Sequence, residues 1–161
     1  MLPNLIILFA GLFILYGVAM LWLRQSLMSS LGSLRQNELI LDKDLEKRRD
    51  LVPFLLEGAR EGAQITDSWQ MLLQKRAKFT EPKSFAEELE FEKILQDYLL
   101  QNACKSLMYL EAKRDIQGVS KRVEAQKETL NALTQSFNEK RKKFPYSLAS
   151  AIFGVHEVAP L

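Results

Sequence analysis

Cysteine and histidine are almost missing from this chain: 161 residues carry one of each, Cys104 and His156. A single thiol excludes an internal disulfide and has no partner for a cysteine-based metal site. One histidine near the C-terminus is a poor inventory for acid–base or metal chemistry. Glycine and proline are scarce as well, at seven and five. There is no glycine-rich phosphate loop, no H-x-x-x-H arrangement, no internal repeat and no low-complexity tract. An excess of one charge is also lacking, since 22 Lys and Arg face 20 Asp and Glu for a net +2. Because the two signs are interspersed, the pattern excludes a broad basic face and with it nucleic acid as a partner. The last absence is positional: no Lys or Arg precedes Leu5.

From Leu5 to Leu23 runs an uncharged apolar stretch, LIILFAGLFILYGVAMLWL. At about 1.5 Å per helical residue it covers roughly 29 Å, close to the ~30 Å of hydrocarbon in a bilayer. A cleaved secretory signal needs a basic start, a shorter apolar core and a small-x-small cleavage site. This N-terminus has no basic residue, and bulky Met20, Leu21, Trp22 and Leu23 come after the small Gly17 and Ala19. An uncleaved anchor over residues 1–24 is the leading expectation, with Trp22 and Arg24 suited to the membrane boundary. Arg24, Arg35, Lys43 and the Lys47–Arg49 cluster all lie after the span. The positive-inside rule therefore puts the rest of the chain in the cytoplasm and the N-terminus outside, with a periplasmic or extracellular body as the alternative.

Residues 25–161, 137 in all, suit one domain with a real core. Apolar residues recur at helical spacing, which predicts an all-α fold. Leu27, Leu31, Leu34, Leu41, Leu45, Val52 and Leu55 alternate in steps of three and four, interrupted by Glu38 and Arg48. Pro53 is expected to kink this helix or begin a new one, with Asp50 as its N-cap. Ile65, Trp69, Leu72, Arg76 and Phe79 share the next stripe, before the breaker at Pro82. Ser84 and Glu87 have capping-box spacing ahead of a helix whose apolar side is Phe85, Leu89, Leu95, Leu99 and Cys104. Cys104 reads as a small buried residue inside that helix. The chain is expected to turn between Tyr109 and Gly118. Ile116, Val119, Val123, Leu130, Leu133, Phe137 and Phe144 then mark the last long helix, which stops at Pro145. The apolar tail Tyr146–Val155 is expected to fold back as a short terminal helix.

Several residues together resemble the LemA family. They are KRRDLVPFLLEG (Lys47 to Gly58), the Lys75-Arg76 pair and LNALTQSFNEKRKKFPYSLASAIFG (Leu130 to Gly154), all behind an N-terminal membrane helix. The family pattern falls on Arg48, Arg49, Asp50, Leu51, Val52 and Pro53, on Arg76, on Leu130-Asn131 and Phe137-Asn138, and on Phe144-Pro145. The chain departs from it where Arg49 meets Asp50 directly, where Leu130 and Phe137 replace tyrosines, and where a His-Glu is absent around Gln64 to Asp67. The resemblance implies a membrane-anchored, antiparallel, up-and-down bundle of about four helices. Some relatives in magnetic bacteria act in forming intracellular membrane compartments, which adds membrane organisation as an implied role.

Arg48 and Arg76 lie on apolar stripes, and Asn131 and Asn138 come directly after seam residues. An arginine directed into a bundle must find acceptors, because an unpaired buried charge costs several kcal/mol. Asp50 and the two asparagines are the expected acceptors, in a polar network that fixes helix register. The Glu87, Glu88, Glu90 and Glu92 run reads as a solvated helix face. Lys140, Arg141, Lys142 and Lys143 oppose the negative end of a helix dipole, with a phosphate or lipid contact as the alternative. No nucleophile–base pair or metal constellation is legible, so neither enzyme activity nor a cofactor is expected. The expected function is that of a structural or interaction protein of the bacterial inner membrane, with protein partners or copies of itself. The alternative is a sensor of anionic lipid or a small ligand.

Overall fold

The computed structural model describes residues 2–60, 70–74, 85–101 and 104–160, with side chains for all of these except 2–6 and 85–86. Four elements dominate: α1 (Leu2–Arg60), α2 (Phe85–Gln101), α3 (Leu107–Lys142) and α4 (Tyr146–Phe153). Residues 70–74 are helical too, and no strand occurs among the described residues. The fold over the described residues is all-α, in keeping with the periodicity.

α1 runs without a break from the apolar stretch into the amphipathic seam. It is the one helix among the described residues long and apolar enough to cross a membrane. From Ile7 to Val18 its large apolar side chains are exposed on every side, as are Leu21 and Trp22, and Met20 is the first buried residue among those described. Pro53 lies inside α1, so no new helix starts there, and Asp50 is an exposed residue of the helix interior, not an N-cap. A proline in a helix interior costs about 3 kcal/mol. Burial of Val52, Leu55, Leu56 and Ala59 around it offsets that, since a fully buried aliphatic side chain contributes about 1.5–3 kcal/mol.

The chain divides into two compact units, Ile40–Gln126 and Met1–Leu39 with Lys127–Leu161. In the first, Val52, Leu55, Leu56 and Ala59 of α1 form a core with Leu72, with Phe91, Leu95 and Tyr98 of α2, and with Tyr109, Ala112 and Ile116 of α3. Asp44 pairs with Arg122 while Gly58 meets Tyr109, so α1 and α3 run in opposite directions here. The approach at Gly58 is close enough that a Cβ would sit 2.5 Å from the Tyr109 amide nitrogen. Arg48 meets Glu88 near the start of α2, and the Cys104 thiol donates to the Gly58 carbonyl just beyond its end. α2 therefore runs the same way as α1.

The expected turn at Tyr109–Gly118 falls earlier. α3 begins at Leu107, with the Ser106 carbonyl accepting the first intrahelical bond from the Leu110 amide, and Gly118 lies inside the helix. Cys104 belongs to the connection between α2 and α3 and is half-buried. Leu89 is exposed, because the inward stripe of α2 is Glu88, Phe91, Leu95 and Tyr98.

In the second unit, Leu27 and Leu34 of α1, Leu130 and Phe137 of α3, and Ala149 of α4 are buried. Phe144, expected on the seam, is 82% exposed because α3 ends at Lys142 and the chain turns there. α4 does fold back, with Phe153 under the Arg24 guanidinium at 5.5 Å. Gly154, with φ of 64°, closes α4 in the left-handed conformation that glycine adopts without a steric cost.

Candidate functional site

The densest group of buried charge lies in the Ile40–Gln126 unit. Arg48 is fully buried, donates from Nη2 to Glu88 Oε1 at 2.7 Å, and places Nη1 3.1 Å from Glu92 Oε1. Arg49 is also buried; its Nε donates to the Leu45 carbonyl and its Nη1 lies 3.8 Å from Glu88 Oε2. Two guanidinium groups and two carboxylates thus balance in charge. Burial of Arg48 follows from its place on the α1 seam. Its acceptors differ from the expected ones: Glu88 is 3% exposed, so the glutamate run is not uniformly a solvated face. Spacing carries the signal that was missed, because Glu88 precedes Phe91, Leu95 and Tyr98 at steps of three, four and three.

The other expected members of the network are placed differently. Asp50 is exposed on α1 and Asn131 is half-buried on α3. Asn138 is committed to the tail: its Nδ2 donates to the Val158 carbonyl at 2.8 Å, and its Oδ1 accepts from the Val158 amide at 3.1 Å. Arg76, like Lys75, Ser84 and most of the stripe around it, lies outside the described residues. Leu72, on that stripe, is buried.

The Lys140–Lys143 cluster is largely used internally. Lys140 Nζ donates to Ser26 Oγ at 2.9 Å and to Ser30 Oγ at 3.3 Å, and lies 5.0 Å from the centre of the Tyr146 ring. Arg141 and Lys142 both pair with Glu157, at 3.3 and 3.1 Å. Lys143 is exposed. A dipole role and tail docking account for three of these four cations, leaving little charge for a lipid phosphate.

Sequence reasoning missed an open groove of about 440 Å³ between Lys47 of α1 and Arg114, Asp115, Gly118, Lys121 and Arg122 of α3. Four cations line it with one carboxylate, Asp115, and one of the four, Arg122, also pairs with Asp44. Arg114, Gly118 and Lys121 are spaced four and three apart, so their shared face was legible; Lys47 joins them only through the fold. A Cβ on Gly118 would meet no atom within 4 Å, so that glycine serves no helix contact.

Two tyrosines complete the ionisable groups of this core. Burial pushes the Tyr98 hydroxyl up to about 12, with the neighbouring Tyr109 and Cys104 adding to the rise. Tyr109 is raised for the same first reason, with Cys104 contributing. Both phenols stay protonated at neutral pH.

No protein-family model matches the chain, and no match was found among the curated proteins or the solved structures with which it was compared.

Proposed function

We propose that this chain is a single-pass membrane protein of the LemA type, an antiparallel bundle of about four helices that serves as a structural or interaction protein. Leu5–Leu23 spans the bacterial inner membrane, the N-terminus is outside and the body faces the cytoplasm. Its role is in membrane organisation or protein assembly, through protein partners or self-association.

One observation carries this reading. From Ile7 to Trp22, α1 presents Phe9, Leu12, Phe13, Ile14 and Leu15 to its surroundings, each more than half exposed. An apolar surface of that length on every face of a helix matches hydrocarbon and not water. Beyond Met20 the same helix turns amphipathic, and its buried charge at Arg48 is neutralised internally. That use of charge supports a register-fixing role for the cluster and a structural role for the body.

Affinity capture tests the reading. The full chain, tagged after Leu161 and taken from solubilised membranes, is expected to bring down a protein in fixed ratio, or its own copies, in a salt-resistant complex. Recovery of the chain alone, as a monomer, would contradict it. The Lys47–Arg122 groove favours a second reading, a sensor of a small anion. Saturable, salt-sensitive binding of inorganic pyrophosphate, abolished by Lys121→Glu, would support that one.

A further inference from the structure

We infer that α4 and the turn before it form a second membrane contact, which lays Leu148 and Ile152 of the helix and Phe144 of the turn into the boundary region of the bilayer beside the span. The inference rests on the reading of Leu5–Leu23 as a span.

Three observations within one compact unit support it. The first is an apolar face with no protein cover. Leu148 and Ile152, one turn apart on α4, are 42% and 57% exposed, and Phe144, in the turn just before the helix, is 82% exposed, while Ala149 and Ser150 of α4 are buried. A helix this short that leaves both of its large aliphatic side chains outside gains little from burying them in the protein.

The second is position. Arg24, the first charged residue after the apolar stretch, lies over the Phe153 ring and fixes the end of α4 at that level. Lys140, under which Tyr146 packs, bonds Ser26 and Ser30 and fixes its start. These α1 residues lie one to seven positions beyond Leu23, or about 10 Å at most along the helix. Interfacial helices bury their apolar face about 5–10 Å into the same zone. A bilayer that contains Leu5–Leu23 therefore brings its headgroup layer to α4.

Third, the polar groups around the stripe suit a headgroup layer. Lys143 is exposed next to Phe144, and Trp22 is exposed on α1 at the matching level. Lysines beside an apolar face can keep their ammonium groups among lipid phosphates while their stems lie along the acyl boundary. Lys140, Arg141 and Lys142 are then held by internal contacts, and the membrane is met by the apolar stripe with Lys143 at its edge.

The test uses the full chain with Cys104→Ser, reconstituted in vesicles of phosphatidylcholine with a minor share of phosphatidylglycerol. Single nitroxide labels are placed at Phe144→Cys, Leu148→Cys and Ile152→Cys, with Leu15→Cys as the span control and Ser136→Cys, exposed on α3, as the water control. The ratio of collision with oxygen to collision with a water-soluble nickel chelate is read at each site. The stripe is expected to give ratios several-fold above Ser136 and below Leu15. Stripe ratios equal to Ser136, with Leu15 high, would overturn the inference and leave the span standing. Shielding of the stripe from both reagents would overturn it in favour of cover by protein. A Leu15 ratio equal to that of Ser136 would defeat the span reading itself, and this inference with it.

Discussion

Replacing Arg48 with methionine tests the internal logic of the body most sharply. Arg48 is fully buried, and its two closest acceptors are Glu88 and Glu92, with side chains 4% and 17% exposed. Methionine fills much of the same volume, so the cavity term is small and the loss is mainly electrostatic. It leaves the Glu88 carboxylate buried with Arg49, at 3.8 Å, as the remaining cation beside it. Breaking a buried pair by removing one partner typically costs about 3–5 kcal/mol, and Arg48→Met is expected in that range. Glu88→Gln keeps the shape and one acceptor and should cost less, about 1.5–3 kcal/mol, the usual worth of a hydrogen bond to a charged group. Glu92→Gln, at a wetter site, should cost least of the three. The pair Asp44–Arg122, 3.4 Å apart with the arginine half exposed, is the control: Asp44→Asn should change stability by less than about 1 kcal/mol. Urea unfolding of the full chain in detergent micelles, followed by circular dichroism, reads all four. Raising salt should weaken the Asp44 effect and leave the Arg48 effect nearly unchanged, since buried pairs are poorly screened. An Arg48→Met chain within about 0.5 kcal/mol of the parent would refute the reasoning.

Gly58→Ala should destabilise by about 1–3 kcal/mol, because its methyl group would press on the Tyr109 backbone, which cannot yield as a flexible side chain does. Gly118→Ala, with open space around it, should instead stabilise by up to about 1 kcal/mol, and the same urea curves decide both. For Tyr98 the sign comes from a folded value of about 12 above the ordinary 10: its contribution is full below pH 10 and is lost as pH rises toward 12. Tyr98→Phe should therefore flatten the alkaline fall in stability, and an unchanged profile would contradict the assignment. A reporter that works only outside the cytoplasm, fused after Leu161, should stay silent; strong activity would place the body on the other side.

Most of the helical content is legible from spacing alone. The seam of α1 from Leu27 to Leu55, the stop before Pro145 and the return of the tail as α4 all follow from local periodicity and punctuation. Pro53 misleads because its local cost is outweighed by tertiary burial on both sides, which a local reading does not contain. The turn before α3 is misplaced by spacing because Gly118 is a stronger punctuator than Ser106, yet Ser106 supplies the cap. The burial of Arg48 is readable, but its partners are not. Which two of four glutamates turn inward depends on the rotation of α2, and the aromatic and aliphatic residues Phe91, Leu95 and Tyr98 set that rotation. Asn138 resembles an acceptor for arginine because the strand-like pairing it makes with Val158 involves a backbone segment without a motif.

The central claim, that Leu5–Leu23 is retained as an anchor, is tested most directly by washing membranes from cells expressing the chain with alkaline carbonate and weighing the protein that stays behind. The expected result is a chain that remains in the pellet with the mass of all 161 residues. A chain found in the supernatant, or one shortened by the apolar stretch, would contradict it.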